Sequence, residues 1–324
     1  MKKIITVGKT EIELVLSALS LPDEGEERFY ERYEMRPGGK GGAAAYLLSL
    51  FGLSSSILSR VGKDGNAARL RHFLYENGVD TGSLFTDNKG QTALSVYIKS
   101  DEYSSPRVLR YSGVSGALSE EDISKSVDSS YSWALLECCY DKEVLRYASQ
   151  YMRSLGIRII ADFTGVSHQN ETENEPSALV SAVCNLKEAE IVIFDKELAE
   201  ALTGVEMSSV DKCFKCSMEL SRIIKASHYV IKMKDRGIFV YDGKFYNIIS
   251  PCDAPEREKA VYADVFASTL AAIYVLSDKN IKAACEVAFI ADKIARSEPS
   301  VFIPTPQIIG KYISDNSLDI HFEV

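Results

Sequence analysis

Four short runs of almost unbroken apolar residues, at 134–136, 157–161, 191–193 and 229–233, alternate with helical stretches such as 143–154 and 196–203. A strand that is apolar on both faces needs cover on both faces, and the intervening helices supply it. The alternation therefore predicts an α/β core, a doubly wound and mostly parallel sheet flanked by helices. The pattern opens with a strand at 3–7 and helices at 44–51 and 66–76. It closes with two strong helices at 263–276 and 281–296, and Ile-Pro-Thr-Pro at 303–306 leads into a last short one.

A second kind of segment interrupts the first. Residues 11–16, 28–35, 92–99 and 108–111 alternate polar with apolar side chains, as half-buried strands do, and predict a small antiparallel β-sheet with one exposed face. With 324 residues, 46% of them hydrophobic, the chain has enough apolar material for one large domain, 1–324, carrying that small sheet as an inserted lid. Leu14, Leu16, Phe29 and Tyr33 give the lid an apolar face, expected to cover a substrate or to join a second subunit as a homodimer.

Charge and cysteine usage exclude several function classes. Lys+Arg number 37 against Asp+Glu 46, a net charge of −9 with a pI near 5.2, which argues against a nucleic-acid partner held on a basic surface. The apolar run before Gly8 is too short for a signal peptide and no later segment reaches membrane-spanning length, so no membrane partner and a cytoplasmic location are expected. The seven cysteines follow no disulfide spacing and are expected as free thiols. Cys213-Phe-Lys-Cys216 lacks a second ligand pair, because His72, His168, His228 and His321 do not cluster, so these cysteines are expected at half-buried helix positions.

The run Arg-Pro-Gly-Gly-Lys-Gly-Gly-Ala-Ala-Ala at 36–45 puts four glycines around Lys40. Glycines are kept where the chain needs positive φ or where a ligand approaches the main chain, although an ordinary loop before a helix reads the same way. In parallel sheets, ligands gather at the carboxyl ends of the strands, near helix N-termini. The acidic and basic candidates sit at such places. Glu13 lies in the first alternating strand, Glu137, Asp162, Asp195 and Lys234 each follow an apolar run, and Asp264 starts the helix at 263–276.

The order of these pieces resembles the ribokinase-like (PfkB) carbohydrate kinases from the first strand to the last helix. The matching pieces are Val7-Gly8 leading to Glu13, Pro37-Gly-Gly-Lys-Gly41, Leu50-Phe-Gly52, Val61-Gly-Lys-Asp-Gly65, Gly78-Val-Asp80 and Leu135-Leu-Glu137. They continue with Asp195 through Leu202-Thr-Gly204, Lys234-Asp-Arg-Gly237, Asp264-Val-Phe266 and Ile303-Pro-Thr305. The resemblance implies a β-lidded α/β kinase that uses ATP and Mg2+ to phosphorylate a hydroxyl of a small sugar or nucleoside. It also implies that Glu13, Gly38, Gly39, Lys40 and Glu137 bind the acceptor, and that Asp264 is the general base. Without the resemblance, Asp264 reads equally as a helix cap.

Where family members have Gly-Ala-Gly before the catalytic aspartate, this chain has Val261, Tyr262 and Ala263, so the phosphate-binding main chain is altered and Tyr262 is expected to fill part of that site. The family's Asn-x-x-Glu appears as Asp195-Lys-Glu-Leu198, which leaves Asp195 as the residue toward magnesium. Ala43 replaces a sugar-binding asparagine. Lys232 and Lys234 stand where many members have Thr-x-Gly, and with Gly237 they are candidates for the nucleotide phosphates, or else solvated surface charges. Two functions follow: a phosphotransferase acting on an alcohol group, with impaired turnover, or a pseudokinase that binds a sugar-like metabolite.

Overall fold

The computed structural model describes residues 2–100, 106–138, 140, 142–165, 183, 186, 188–233, 236–249, 265–297 and 303–320. Lys234, Val261, Tyr262, Ala263 and Asp264 lie outside the described residues, as do Cys139, Cys184, Cys252, His168 and His321.

Among the described residues, nine strands form the large sheet. In spatial order they are β13 (Tyr246–Ile249), β12 (Ile238–Tyr241), β11 (Lys225–Lys232), β10 (Glu188–Asp195), β9 (Arg158–Asp162), β8 (Trp133–Glu137), β1 (Lys3–Val7), β4 (Ser54–Val61) and β5 (Leu84–Thr86). Strands β11 through β5 in that order pair in parallel, and the β11–β12 and β12–β13 pairs are antiparallel. One face is covered by α3 (Glu120–Ser126), α4 (Lys142–Ser154), α5 (Lys196–Thr203) and α6 (Val210–Ile223). The other is covered by α1 (Lys40–Leu50), α7 (Phe266–Leu276), α8 (Ile281–Ser297) and α9 (Pro306–Asp315). Every residue of α7 but Leu276 is buried, which its all-round apolar sequence requires.

The second sheet has the order β3 (Arg32–Gly38), β2 (Glu11–Ala18), β6 (Ala93–Ser100), β7 (Arg107–Tyr111). Its base packs on α2 (Gly65–Glu76), through Ile12 and Leu94 against Leu70 and Leu74. Two expectations are corrected here. The sheet is not wholly antiparallel, since β2 and β6, between which the chain passes through β4 and β5 of the large sheet, run parallel. The segment at 28–35 is a strand only from Arg32, and Phe29 lies before it, 99% exposed. Pro37, which has no N–H to donate, is accommodated because β3 is an edge strand.

Several elements escape a reading by apolar runs. Strand β4, Ser-Ser-Ser-Ile-Leu-Ser-Arg-Val, buries Ser55, Ser56 and Ser59, whose hydroxyls bond Ala45 O, Asp80 and Thr10. These hydrogen bonds lower the cost of burying polar side chains in a central strand. Cys213 and Cys216 are on α6 as expected, but fully buried rather than half-buried. Cys138, Cys213, Cys216 and Cys285 are all free. Among the described residues, no helix is long and apolar enough to cross a membrane.

Candidate functional site

Parallel pairing brings the ends of four strands to one edge. Glu137, Asp162, Asp195 and Lys232 are the last residues of β8, β9, β10 and β11, with Glu137 paired to Asp162 and Asp195 to Lys232. The glycine run arrives at the same edge. Pro37 and Gly38 finish β3, Gly39 turns the chain at φ 76°, and Lys40 and Gly41 already belong to α1, so the run is a strand-to-helix junction rather than a loop.

This junction crosses Gly8, just past β1. Gly41 N donates to Lys9 O at 2.9 Å, and a Cβ on Gly41 would lie 2.4–2.7 Å from the Gly8 backbone. The clash is between main chains, which no rotamer change relieves. Alanine has a helix propensity better than glycine's by ~1 kcal/mol, but overpacking of this kind costs about 1–3 kcal/mol or more. Gly41→Ala is therefore expected to destabilise by ~2 kcal/mol in denaturant titration. Gly65→Ala, whose Cβ would meet nothing within 4 Å, is expected to stabilise by about 0.4–1 kcal/mol. Equal behaviour of the two variants would remove the steric argument.

Beside the crossing, Glu137 Oε2 accepts Lys9 N at 2.7 Å. Lys40 turns inward. Its ammonium is 2.8 Å from Asp162 Oδ2 and donates to Thr164 O and Thr164 Oγ1, both at 2.7 Å. With the Lys40 side chain 15% and that of Asp162 3% exposed, this is a buried ion pair with all three ammonium protons engaged. Asp162 Oδ1 in turn accepts Thr164 N and Thr164 Oγ1, and Gly165 N donates to Asp195 Oδ2 at 2.8 Å. One hydrogen-bonded path thus joins Lys40 to Asp195. A cavity of about 10 Å³, lined by Thr6, Lys40, Glu137, Asp162, Ala267 and Ser268, adjoins it, with room for one water at most. The Thr6 hydroxyl is buried and without a partner.

The lid contributes the opposite wall. Glu13 Oε2 accepts Arg36 Nε at 2.9 Å, and Gly38 has no side chain because a Cβ there would lie 2.4 Å from the Glu13 carboxyl carbon. Burial raises the Glu13 pKa against the pull of Arg36 and the Gly39 N–H. Glu11, two residues earlier on the same face of β2, is pushed up to about 7 by burial first and by the Glu13 carboxylate second. Glu11, Arg36 and Thr164 were not singled out from sequence as site residues. The i, i+2 spacing of Glu11 and Glu13 was the available signal, since both must face the same side of a strand.

At the far end of the edge, Asp195 heads α5 without capping it. Leu198, in the place of the family's second carboxylate, is 2% exposed in the core, and Glu197 is on the exposed side of α5. Lys232 is not a solvated surface charge. Its side chain is 13% exposed, 3.7 Å from Asp292 Oδ2 and 4.8 Å above the Phe266 ring, so it is fixed beside the first residue of α7. Gly237, at φ 90°, closes the turn between β11 and β12, its carbonyl accepting Met233 N at 2.8 Å. Among the described residues, no three His, Cys, Asp or Glu side chains form a metal cluster.

A family model described as pfkB family carbohydrate kinase matches residues 1–288. A curated relative, the bifunctional ribokinase/ribose-5-phosphate isomerase A of Fructilactobacillus sanfranciscensis, is 22% identical over 98% of this chain and 57% of its own length. The chain spans 57% and 64% of the lengths of the two curated relatives it matches. Among solved structures, the ribokinase of Thermotoga maritima superposes with a TM-score of 0.77 at 16% identity, covering 97% of this chain and 100% of that one. Arabidopsis thaliana ribokinase, solved with ribose and ATP, gives 0.75 at 16% identity, covering 96% and 98%. At these identities the two structures speak to the fold, and it is the ribokinase-like one.

Proposed function

This chain belongs to the pfkB family of carbohydrate kinases, and from that membership we propose that it transfers the terminal phosphoryl group of ATP to a hydroxyl of a small sugar or nucleoside. The supporting observation is the single edge at which the lid carboxylate Glu13, the Gly38-Gly39-Lys40 junction and Glu137 meet. Asp264, two residues before Phe266, is the proposed general base, and it stands in sequence at the head of α7. In this reading Glu13 and Glu137 accept hydrogen bonds from acceptor hydroxyls. The Lys40 charge offsets them from within the protein rather than gripping the acceptor.

Lys232 and Gly237, with Lys234 and residues 261–263, form the proposed phosphate side. Magnesium enters with the nucleotide. The donor set fits an ion held mainly by phosphates and water, because among the described residues Asp195 is the carboxylate at this end of the edge and buried Leu198 supplies none. The proposed location is the cytoplasm, where buried thiols stay reduced. The proposed oligomer is a homodimer through the lid, whose outer face carries Leu14, Leu16, Tyr33 and Leu109, the last 66% exposed. Sedimentation is expected to give twice the monomer mass, and a monomer at micromolar concentration would remove the dimer.

The second reading is a pseudokinase that binds the metabolite without transfer. It is favoured by two observations on the nucleotide side alone: Leu198 is buried in the core, and Lys232 is already engaged by Asp292. Calorimetric titration with Mg-ATP and a panel of sugars and nucleosides, with a transfer assay on the same samples, separates the two. Binding of both substrates with transfer is the expected result. Sugar binding with neither nucleotide binding nor transfer would make the pseudokinase the correct reading.

A further inference from the structure

Glu11 is a carboxylate of the candidate site with no ion-pair partner among the described residues. It is the first residue of β2, on the lid face turned to the large sheet, with Glu13 beside it on its own strand. Facing it are Arg36 from β3, Ser95 and Tyr97 from β6, Arg110 from β7 and Glu137 from β8. None of these neutralises it. Arg36 is bonded to Glu13, Arg110 lies 5.9 Å from the centre of the Tyr97 ring, and no cation forms an ion pair with Glu11 among the described residues. The Ser95 hydroxyl, completely buried, lies close enough to Glu11 to favour its charged form, yet makes no hydrogen bond of full geometry to any described residue. Two like-charged neighbours, Glu13 and Glu137, add repulsion rather than relief.

A half-buried carboxylate with no counter-ion costs stability, and such groups collect at sites where a ligand completes them. A neutral polyol would give hydrogen bonds to Glu11 and Ser95 but would leave three carboxylates facing one space. An anionic group, a sugar acid or a sugar phosphate, would add a fourth negative charge, while the nearby Lys40 ammonium is engaged by Asp162 and Thr164. An ammonium group satisfies Glu11, donates to Ser95 Oγ and relieves the repulsion together.

We propose that the acceptor is an amine-bearing polyol, such as an amino sugar, whose ammonium pairs with Glu11 at the mouth of the lid. This rests on the reading of the edge as an acceptor site, and it names the substrate class of that site.

The test is calorimetric binding of matched amino and hydroxy sugars to the full chain, without nucleotide, so that transfer plays no part. At least one amino sugar is expected to bind ~10-fold or more tightly than its hydroxy counterpart, as a charge-assisted hydrogen bond allows. In Glu11→Gln the ratio is expected to fall to about one. Because burial pushes the Glu11 carboxyl up to about 7, its protonated form prevails in acid. The preference for the amine is then expected to weaken as pH falls from about 8 to about 5, since the ammonium must displace a proton. Equal binding of amine and hydroxy forms, or a preference that survives in Glu11→Gln, would overturn the proposal while leaving the acceptor site standing. Failure of every sugar to bind would overturn both.

Discussion

Replacing Asp264 by asparagine is expected to slow phosphoryl transfer by ~10²–10⁴-fold, the usual contribution of a positioned general base. Asparagine keeps the size and the hydrogen-bonding carbonyl of aspartate and loses only the ability to take a proton. That makes the substitution diagnostic, because the competing role for an acidic residue at the head of a helix is capping. Asn caps a helix as well as Asp does, so a pure cap would leave both stability and transfer unchanged. The loss is expected in single-turnover transfer from Mg-ATP at saturating acceptor, with acceptor affinity retained. An unchanged single-turnover rate would remove Asp264 from the chemistry. Transfer is expected to start low even in the native chain, because Val261 and Tyr262 stand where the family has small residues and a lost anion-hole donor costs about 100- to 1000-fold.

Lys40→Met is expected to destabilise the protein by ~3–5 kcal/mol, since it leaves the buried Asp162 carboxylate without its cation. The pair is worth less than this as a net contribution to folding, because both charges give up water when they are buried. The size of the loss measures the uncompensated charge. A double-mutant cycle with Asp162→Asn separates the two. The double variant is expected to recover at least ~1 kcal/mol relative to Lys40→Met, as coupled partners do, and strictly additive losses would show that the two side chains do not act as a pair. The cycle also reaches function. Thr164 and Gly165 link the pair to Asp195, so acceptor affinity and nucleotide affinity are both expected to weaken in the single variants.

The extent to which this molecule was legible from its residues differs from element to element. The strands at 134–136, 157–161, 191–193 and 229–233 declared themselves, because a strand buried on both faces must be apolar throughout. Strand β4 did not, because its buried serines bond to neighbours that only the folded chain provides. The parallel β2–β6 pair was hidden for a related reason. Alternation reveals that one face is buried, and is silent on the direction of the neighbouring strand.

At the site, position after an apolar run singled out Glu137, Asp162 and Asp195, since polar residues that end apolar strands of a parallel sheet gather at one edge, whereas Glu13 was read from an alternating lid strand and Lys232 from the family resemblance. Their partners were decided by the tertiary structure. That Lys40 is spent on Asp162, that Lys232 is held by Asp292, and that Glu11 has no counter-ion among the described residues follow from contacts between residues 60 to 124 positions apart, or from the absence of such contacts. Sequence determined which elements form and which chemical groups they carry, because apolar patterning and backbone preference are local. Only the packing of β1, β2, β9 and α1 decided which charges meet, because an ion pair depends on distance in space, which spacing along the chain does not set.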